Sequence, residues 1–275
     1  DYKQVVQSRL VEYDWLWKIL VYGSYLDFNF IRRLEEDYNT IGDIIYNENH
    51  FLVKQGLKRK DGNKKINVEE LIGWEFLDIQ KDKQIEPFFI YPQLKKWPDE
   101  DKYVGYIYCE KGKIVKKVFT PPVLLLKETV TTELKSIPVI SLKRKILFTD
   151  KITSIKAIGN KDIRSYYEIA GLLYSSLFSY FMLIKSSTVG IMIEQQVNDK
   201  EKFGFPYLKN STIAKNVEKI EEIIRKLFDE KQKVISPNIH TMEGEKKKLI
   251  NKLNEEILNS FNLNEQERAL LDYAV

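Results

Sequence analysis

The stretch Phe119-Thr-Pro-Pro-Val-Leu-Leu-Leu-Lys127 sets the reading of this chain. Two prolines punctuate it, and the β-prone run Val123 to Leu126 follows them. Three further pieces come after it in order. Lys143-Arg-Lys-Ile-Leu-Phe148 is a basic, strand-like run. Gly171-Leu-Leu-Tyr-Ser-Ser-Leu-Phe-Ser-Tyr-Phe181 is apolar and helical in pattern. Phe203-Gly-Phe-Pro-Tyr207 is a proline-bearing turn.

Working outward, residues 50 to 145 carry prolines at 87, 92, 98, 121, 122 and 138 and short β-prone runs. These runs are Phe88-Tyr91, Tyr103-Tyr108, Val118-Phe119 and Val123-Leu126. Turn chemistry such as Lys60-Asp-Gly-Asn63, Glu110-Lys-Gly-Lys113 and Trp97-Pro-Asp99 separates them. The expected core is a twisted, mainly antiparallel sheet with irregular loops. Upstream, Val6, Leu10, Trp15, Leu16, Ile19 and Leu20 recur at helical spacing, so Val5 to Arg33 reads as helix, with Asp14 as a cap and an interruption at Tyr22-Gly23-Ser24. Downstream, Tyr166 to Ile184 reads as one apolar helix. Asn210-Ser211-Thr212 supplies cap chemistry for a helix carrying Val217, Ile220, Ile223, Ile224 and Leu227. Ser236-Pro237 breaks it. A further helix carries Leu249, Ile250, Leu253, Ile257, Leu258 and Phe261, and Asn264 with Glu267 forms an N-cap pair for a last short one. The fold class is α+β, with an N-terminal helical segment and a C-terminal helical hairpin flanking the sheet. The expected division is 1–49 as a helical lead-in, 50–209 as the sheet-bearing domain and 210–275 as a helical region packing on the core or on a partner.

The 275 residues are 43% hydrophobic, enough for one large core or two smaller ones. Lys and Arg number 44 against 40 Asp and Glu, a net charge of +4, too mild to announce a nucleic-acid protein by itself. Cys109 is the only cysteine, so neither an internal disulfide nor a cysteine-based zinc site can form, and a reducing, cytoplasmic setting is expected. His50 and His240 sit in polar surroundings and read as surface residues. The apolar stretch from Ile169 to Ile184 falls short of the roughly 20 residues that a spanning helix needs, so no membrane association is expected. The chain opens at Asp1 and stops at Ala274-Val275 as a helix gets under way, which reads as a piece of a longer protein.

The order of these pieces resembles the target recognition region of bacterial N6-adenine DNA methyltransferases of restriction-modification systems. In that family an "(F)xxPxxL(I/L)(K/R)" strand precedes a "LLxxLNSxLxxYY" helix, and an "(L/F)P(x)P"-like turn closes the unit. Trp17-Lys-Ile-Leu-Val-Tyr-Gly-Ser-Tyr-Leu-Asp27 is similar to the family's "W-K-x-L-x-(Y/W)-G-(S/N)-x-x-D" lead-in from the catalytic domain. The tail Ile250 to Arg268 is similar to "hxxLDxxVxxLYgLtxeEr", with Asn254 in place of Asp and Phe261-Asn262 in place of Tyr-Gly. The resemblance implies a double-stranded DNA reading module. The parent would use S-adenosylmethionine in an upstream methyltransferase domain and act with a restriction subunit as a further partner. This portion itself is expected to hold no cofactor and no catalytic residue. It has no Gly-rich cofactor loop, and Thr120-Pro-Pro-Val123 lacks the flanking groups of an (N/D)PP(Y/F) loop.

Two basic segments carry the candidate contacts. Lys54, Gln55, Lys58, Arg59, Lys60, Asn63, Lys64 and Lys65 fall around one loop, where cations suit phosphates and amides suit adenine. Lys143, Arg144 and Lys145 open a second stretch that continues through Lys151, Lys156, Lys161 and Arg164. The resemblance adds Lys185, Ser186 and Ser187 after the apolar helix, near the DNA backbone, and leaves Tyr180 and Phe181 to the core. Gln195 and Gln196 read as lying on or beside a strand, without a role. Two alternatives stand beside this reading. An interaction module would expose an apolar stripe on the helices of Ser211 to Phe261. A metal-dependent nuclease would use Asp99 and Glu110, although Glu110-Lys-Gly-Lys113 misses the Glu-x-Lys spacing by one residue.

Overall fold

The computed structural model describes residues 5–47, 51–59, 73–77, 84–96, 106–108, 116–158, 163–187, 197–233 and 237–274. The chain is α+β, with antiparallel sheets between N-terminal and C-terminal helices. The helical segment expected from Val5 to Arg33, interrupted at Tyr22-Gly23-Ser24, is three helices: α1 (Gln7–Glu12), α2 (Leu16–Tyr22) and α3 (Tyr25–Asp37). Gly23 closes α2. Ser24 and Asp27 then build a capping box, the Ser24 backbone amide and hydroxyl donating to Asp27 Oδ2 at 2.6 and 2.7 Å. Asp14 does not cap α2; Trp15 occupies that position. A five-residue π turn, Asp43–Asn47, leads to the sheets.

The principal sheet has four antiparallel strands in the order β1 (Phe51–Gln55), β11 (Ile152–Ala157), β8 (Val123–Lys127), β9 (Pro138–Ser141). A second sheet joins β10 (Ile146–Phe148), β3 (Glu75–Leu77) and β6 (Lys95–Lys96), and its β10–β3 pair is parallel. Two-stranded ribbons pair β2 (Leu57–Arg59) with β7 (Tyr106–Tyr108) and β4 (Ile85–Glu86) with β5 (Phe89–Ile90). A bridge between Leu57 and Thr149 ties β2 to the end of β10. Val118-Phe119, expected as strand, lies in a 3₁₀ turn, Lys116–Phe119, and both side chains are buried. The Pro121-Pro122 peptide that follows is cis.

β8 is buried along Val123 to Leu126 because it has apolar structure on both sides. Val123 and Leu125 belong to one cluster with Phe119, Val139, Leu147, Phe148 and Ile152. Leu124 and Leu126 belong to another with Ile140, Ile155 and the helices. The alternation follows from the two-residue period of a strand. Each fully buried aliphatic side chain contributes on the order of 1.5–3 kcal/mol, so this one strand anchors two cores.

The helical layer covers the second cluster. The single helix expected from Tyr166 to Ile184 is broken into α4 (Arg164–Leu173) and α5 (Ser176–Lys185), bent by 60°. Ser175 causes the break: its hydroxyl accepts from the Phe178 amide at 3.1 Å and donates to the Leu172 carbonyl at 2.7 Å, capping one helix while closing the other. Then come α6 (Asp199–Phe203), α7 (Ser211–Lys231), α8 (Ile239–Ser260) and α9 (Glu265–Ala274). Asn210 caps α7, and Asn264 and Glu267 exchange bonds at the start of α9 as expected. Among the described residues no single helix is long and apolar enough to cross a membrane.

The family-like pieces converge on α5. Lys18 donates from α2 to the carbonyls of Leu183 (3.1 Å) and Ser186 at the C-terminal end of α5. Asp27 accepts from the Tyr180 hydroxyl at 2.5 Å. Asn254 accepts from the Ser176 amide at 3.0 Å, so the amide oxygen supplies the acceptor that Asp would. Asn262 adopts φ 51°, a left-handed conformation that Asn tolerates and Gly favours. Arg33 closes the fold with a two-toothed pair to Glu267 at 2.7 and 2.8 Å.

Two constraints here yield tests. Gly56 passes so close to β10 that a Cβ would stand 2.2 Å from the Phe148 carbonyl oxygen and 2.4 Å from that of Thr149. Gly56→Ala should cost about 1–3 kcal/mol, seen as a lower urea midpoint. Lys202 is fully buried on α6, its ammonium donating to the carbonyls of Lys127 (2.7 Å) and Glu128 (3.0 Å) at the end of β8. Burial pushes its pKa down from 10.5 to about 8, against the pull of Asp199, Glu128 and Glu201. Between pH 8 and 10 the unfolded chain therefore holds a proton that the folded one has released, and stability should rise with pH. Urea titrations across that window should show the rise in the native protein and a smaller rise in Lys202→Met.

Candidate nucleic-acid interface

The strand-bearing segment is unequal in charge. The described acids of residues 51–158 are Glu75, Glu86, Glu128, Glu133 and Asp150. Four are engaged with cations: Glu75 with Arg144 (2.5 Å), Glu86 with Lys246 (3.0 Å), Glu128 with Lys151 (2.9 Å) and Glu133 with Lys135 (2.6 Å). Burial opposes ionisation of Glu86, yet bonds from the Tyr91 hydroxyl and the Lys246 ammonium hold its carboxyl below the ordinary range. The same stretch also holds Lys54, Lys95, Lys96, Lys117, Lys127, Lys143, Lys145 and Lys156, so its described residues include more cations than acids.

The expected contact residues fall into three groups. Lys54 and Gln55 end β1; Gln55 is exposed and lies opposite Thr153, whose hydroxyl donates to Asp199 at 2.5 Å. After the tight passage at Gly56, Lys58 and Arg59 continue on β2. Lys60, Asn63, Lys64 and Lys65 lie outside the described residues. Lys143, Arg144 and Lys145 lead into β10, and Lys143 and Lys145 are exposed. Because β2 bridges Thr149 in parallel, Arg59 runs away from Lys145 rather than beside it.

Arg144 has a structural task. It pairs with Glu75 and donates to the carbonyls of Ile90 (3.4 Å), Tyr91 (2.9 Å) and Pro92 (3.3 Å). With Lys143 it also rims a groove of about 490 Å³ against α7, floored by Phe89, Ile90, Ile140 and Phe228. Lys156 likewise binds the carbonyls of Thr120 (3.0 Å) and Pro122 (2.9 Å), and burial pushes its pKa down.

The third group stands on the helical side. Lys185 pairs with Glu35 at 2.6 Å, with its ammonium 4.7 Å from the Trp15 ring centroid. Ser186 is buried and offers its carbonyl to Lys18, while Ser187 donates to Glu201 Oε1 from its amide (3.0 Å) and hydroxyl (3.2 Å). These residues sit among acids, packed with the helices rather than with the strands that carry Lys143 and Lys145.

Sequence reasoning passed over Trp74, Lys95 and Lys96. The pairing Ile146 to Glu75 places Lys145 beside Trp74, and the Lys145 ammonium stands 5.4 Å from that ring's centroid. Lys95 lies opposite Phe76 and Lys96 opposite Glu75. The pair Lys95-Lys96 immediately before Trp97 was the signal open to a reader of the sequence.

The alternatives fare differently. Asp99 and Glu110 lie outside the described residues, and among the described residues no group of three or more His, Cys, Asp or Glu could hold a metal ion. The apolar face of α7 is buried, and among the described residues none of the large exposed apolar side chains falls between Ser211 and Phe261. Such residues gather instead on α1 to α3: Val11, Trp17, Val21, Tyr22, Tyr25 and Leu26.

No family model and no curated protein matches this chain. Among solved structures, a chain from work on complex assembly and conformational transition of the type I R-M system aligns at 10% identity and a TM-score of 0.28. The match covers 97% of this chain and 58% of that one, so this chain spans well under two thirds of its length. A likeness that weak carries no argument for function.

The two kinds of cation can be told apart. Arg144→Gln should lower stability by about 1–3 kcal/mol, because Glu75 loses its counter-ion and backbone carbonyls lose a donor. Lys143→Gln should stay within about 0.5 kcal/mol of the native protein in the same urea titration.

Proposed function

We propose that this chain is the double-stranded DNA recognition module of an S-adenosylmethionine-dependent N6-adenine DNA methyltransferase belonging to a restriction-modification system. The observation that carries the reading is the partition of charge. The strand-bearing residues 51–158 hold more Lys and Arg than Asp and Glu, and four of their described acids are paired. Phosphate neutralisation requires such an excess. Gln55 and Arg59, on the strand segment that passes from β1 to β2, are side chains of the types that pair with adenine and guanine edges. The sequence pieces of the family resemblance support the reading too, since Lys18, Asp27 and Asn254 all serve the same helix.

In this reading residues 50–209 face DNA and residues 210–275 buttress the helical side. Methyl transfer belongs to a separate domain that supplies the cofactor site. This module would hold the duplex while the target adenine is extruded, which costs a few kcal/mol. The exposed apolar face of α1 to α3 favours a second role, docking the methyltransferase domain or a restriction subunit.

Fluorescence titration of the chain with labelled duplex at several salt concentrations tests the DNA-facing role. If about five phosphates are neutralised, log K should fall against log salt with a slope of about −4 to −5. A flat response refutes it.

A further inference from the structure

We propose that the groove between α7 and the turn from β9 to β10 binds a small zwitterion with an apolar side chain, the chemistry of an aromatic or branched α-amino acid. Such a site is independent of the DNA-facing role.

Three observations carry it. First, the groove has the size and floor of a small-molecule site. It encloses about 490 Å³ over a floor of Phe89, Ile90, Ile140 and Phe228. Sites for small ligands span about 300–1,000 Å³ and are mostly apolar, with a few polar groups that fix orientation. The floor is preformed. The Phe228 ring on α7 meets those of Phe89 and Tyr91 at centroid distances of 6.0 and 5.2 Å. The Phe88 amide donates to the Pro138 carbonyl at 2.6 Å and ties the start of β5 to the start of β9. A ligand therefore orders little of the protein on entry.

Second, the rim charges divide into satisfied and open ones. Arg144 is committed to Glu75 and to three backbone carbonyls. Arg225 pairs with Glu221 at 2.7 Å, and Glu221 also accepts from the Tyr167 hydroxyl at 3.3 Å. Lys143 and Asp229 remain, both exposed and neither in an ion pair among the described residues. Lys143 stands on the strand side of the groove and Asp229 on the helix side. A simple anion would meet Asp229 and a simple cation would meet Lys143. A molecule that carries both a carboxylate and an ammonium satisfies each.

Third, Asp229 lies in the last turn of α7, where the helix end already presents negative partial charge. Lys231, the cation of that turn, is drawn to Glu243 on α8 at 3.4 Å. A ligand ammonium at this end meets the carboxylate and the helix end together, which sets its orientation: amine toward α7, carboxylate toward Lys143, side chain on the aromatic floor.

The competing account is a surface crevice with ordinary solvated charges on its rim. Ligand-observed NMR titrations of the whole chain at pH 6, where an α-amino group is charged, separate the two. The probe is L-phenylalanine, with Kd expected at about 0.1–1 mM for a ligand of its size. N-acetyl-L-phenylalanine lacks the ammonium and L-phenylalaninamide lacks the carboxylate, and each should bind about 5-fold more weakly. Lys143→Gln should weaken L-phenylalanine about 5-fold and leave L-phenylalaninamide unchanged. Asp229→Asn should weaken L-phenylalanine similarly and leave N-acetyl-L-phenylalanine unchanged. Melting curves confirm folding, and should Asp229→Asn melt early, the Lys143→Gln arm decides alone. No saturation by L-phenylalanine below about 10 mM overturns the site. So do variants that weaken the matched and unmatched probes alike, or neither. N-acetyl-L-phenylalaninamide binding as tightly as L-phenylalanine also overturns it, because the groove would then seat the interior of a polypeptide chain.

Discussion

The strand Val123–Lys127 has no solvent side, and that condition organises the rest of the molecule. A strand covered on both faces must end where its last carbonyls find donors, because water cannot reach them. Lys202 is the donor. Its burial fixes α6 against the end of β8 and thereby sets the path from Asp199 to the proline turn at Phe205-Pro206. Glu35 and Glu201 lie with the helices, while Lys95 and Lys96 lie on or beside the small strands and Lys143 faces α7 across a groove.

Much of this frame was legible in the residues. Gly23-Ser24 announced a helix break, and Asn210 and the Asn264–Glu267 pair announced caps, because each acts within three residues of itself. The failures share a cause. Ser175 looked like one polar residue inside an apolar helix, and only the bonds to Phe178 and Leu172 reveal it as a cap. Val118-Phe119 has strand-forming residues, yet the turn before Pro121-Pro122 buries them without a ladder. Arg144 read as a phosphate ligand because its partner Glu75 is 69 positions away. Trp74 and Lys95 were overlooked for the same reason: their company depends on the register of strands that composition does not announce.

Two buried ammonium groups do comparable tasks in different settings. Lys202 supplies donors to a strand end, and Lys18 supplies them to the last carbonyls of α5, where a cation also complements the helix dipole. Burial pushes the pKa of both down. Neither group is available to an anionic ligand, so a simple tally of lysines overstates the binding surface.

The helix α5 is held at its start by Asn254, midway by Asp27 and at its end by Lys18. Those three anchors lie far from it on either side in the chain. During synthesis Lys18 and Asp27 leave the ribosome before the helix exists, and Asn254 leaves well after it. The first turn of the helix therefore stays without this acceptor until residue 254 has emerged. A chain that stopped before residue 254 would leave the Ser176 amide at the start of α5 without its side-chain acceptor.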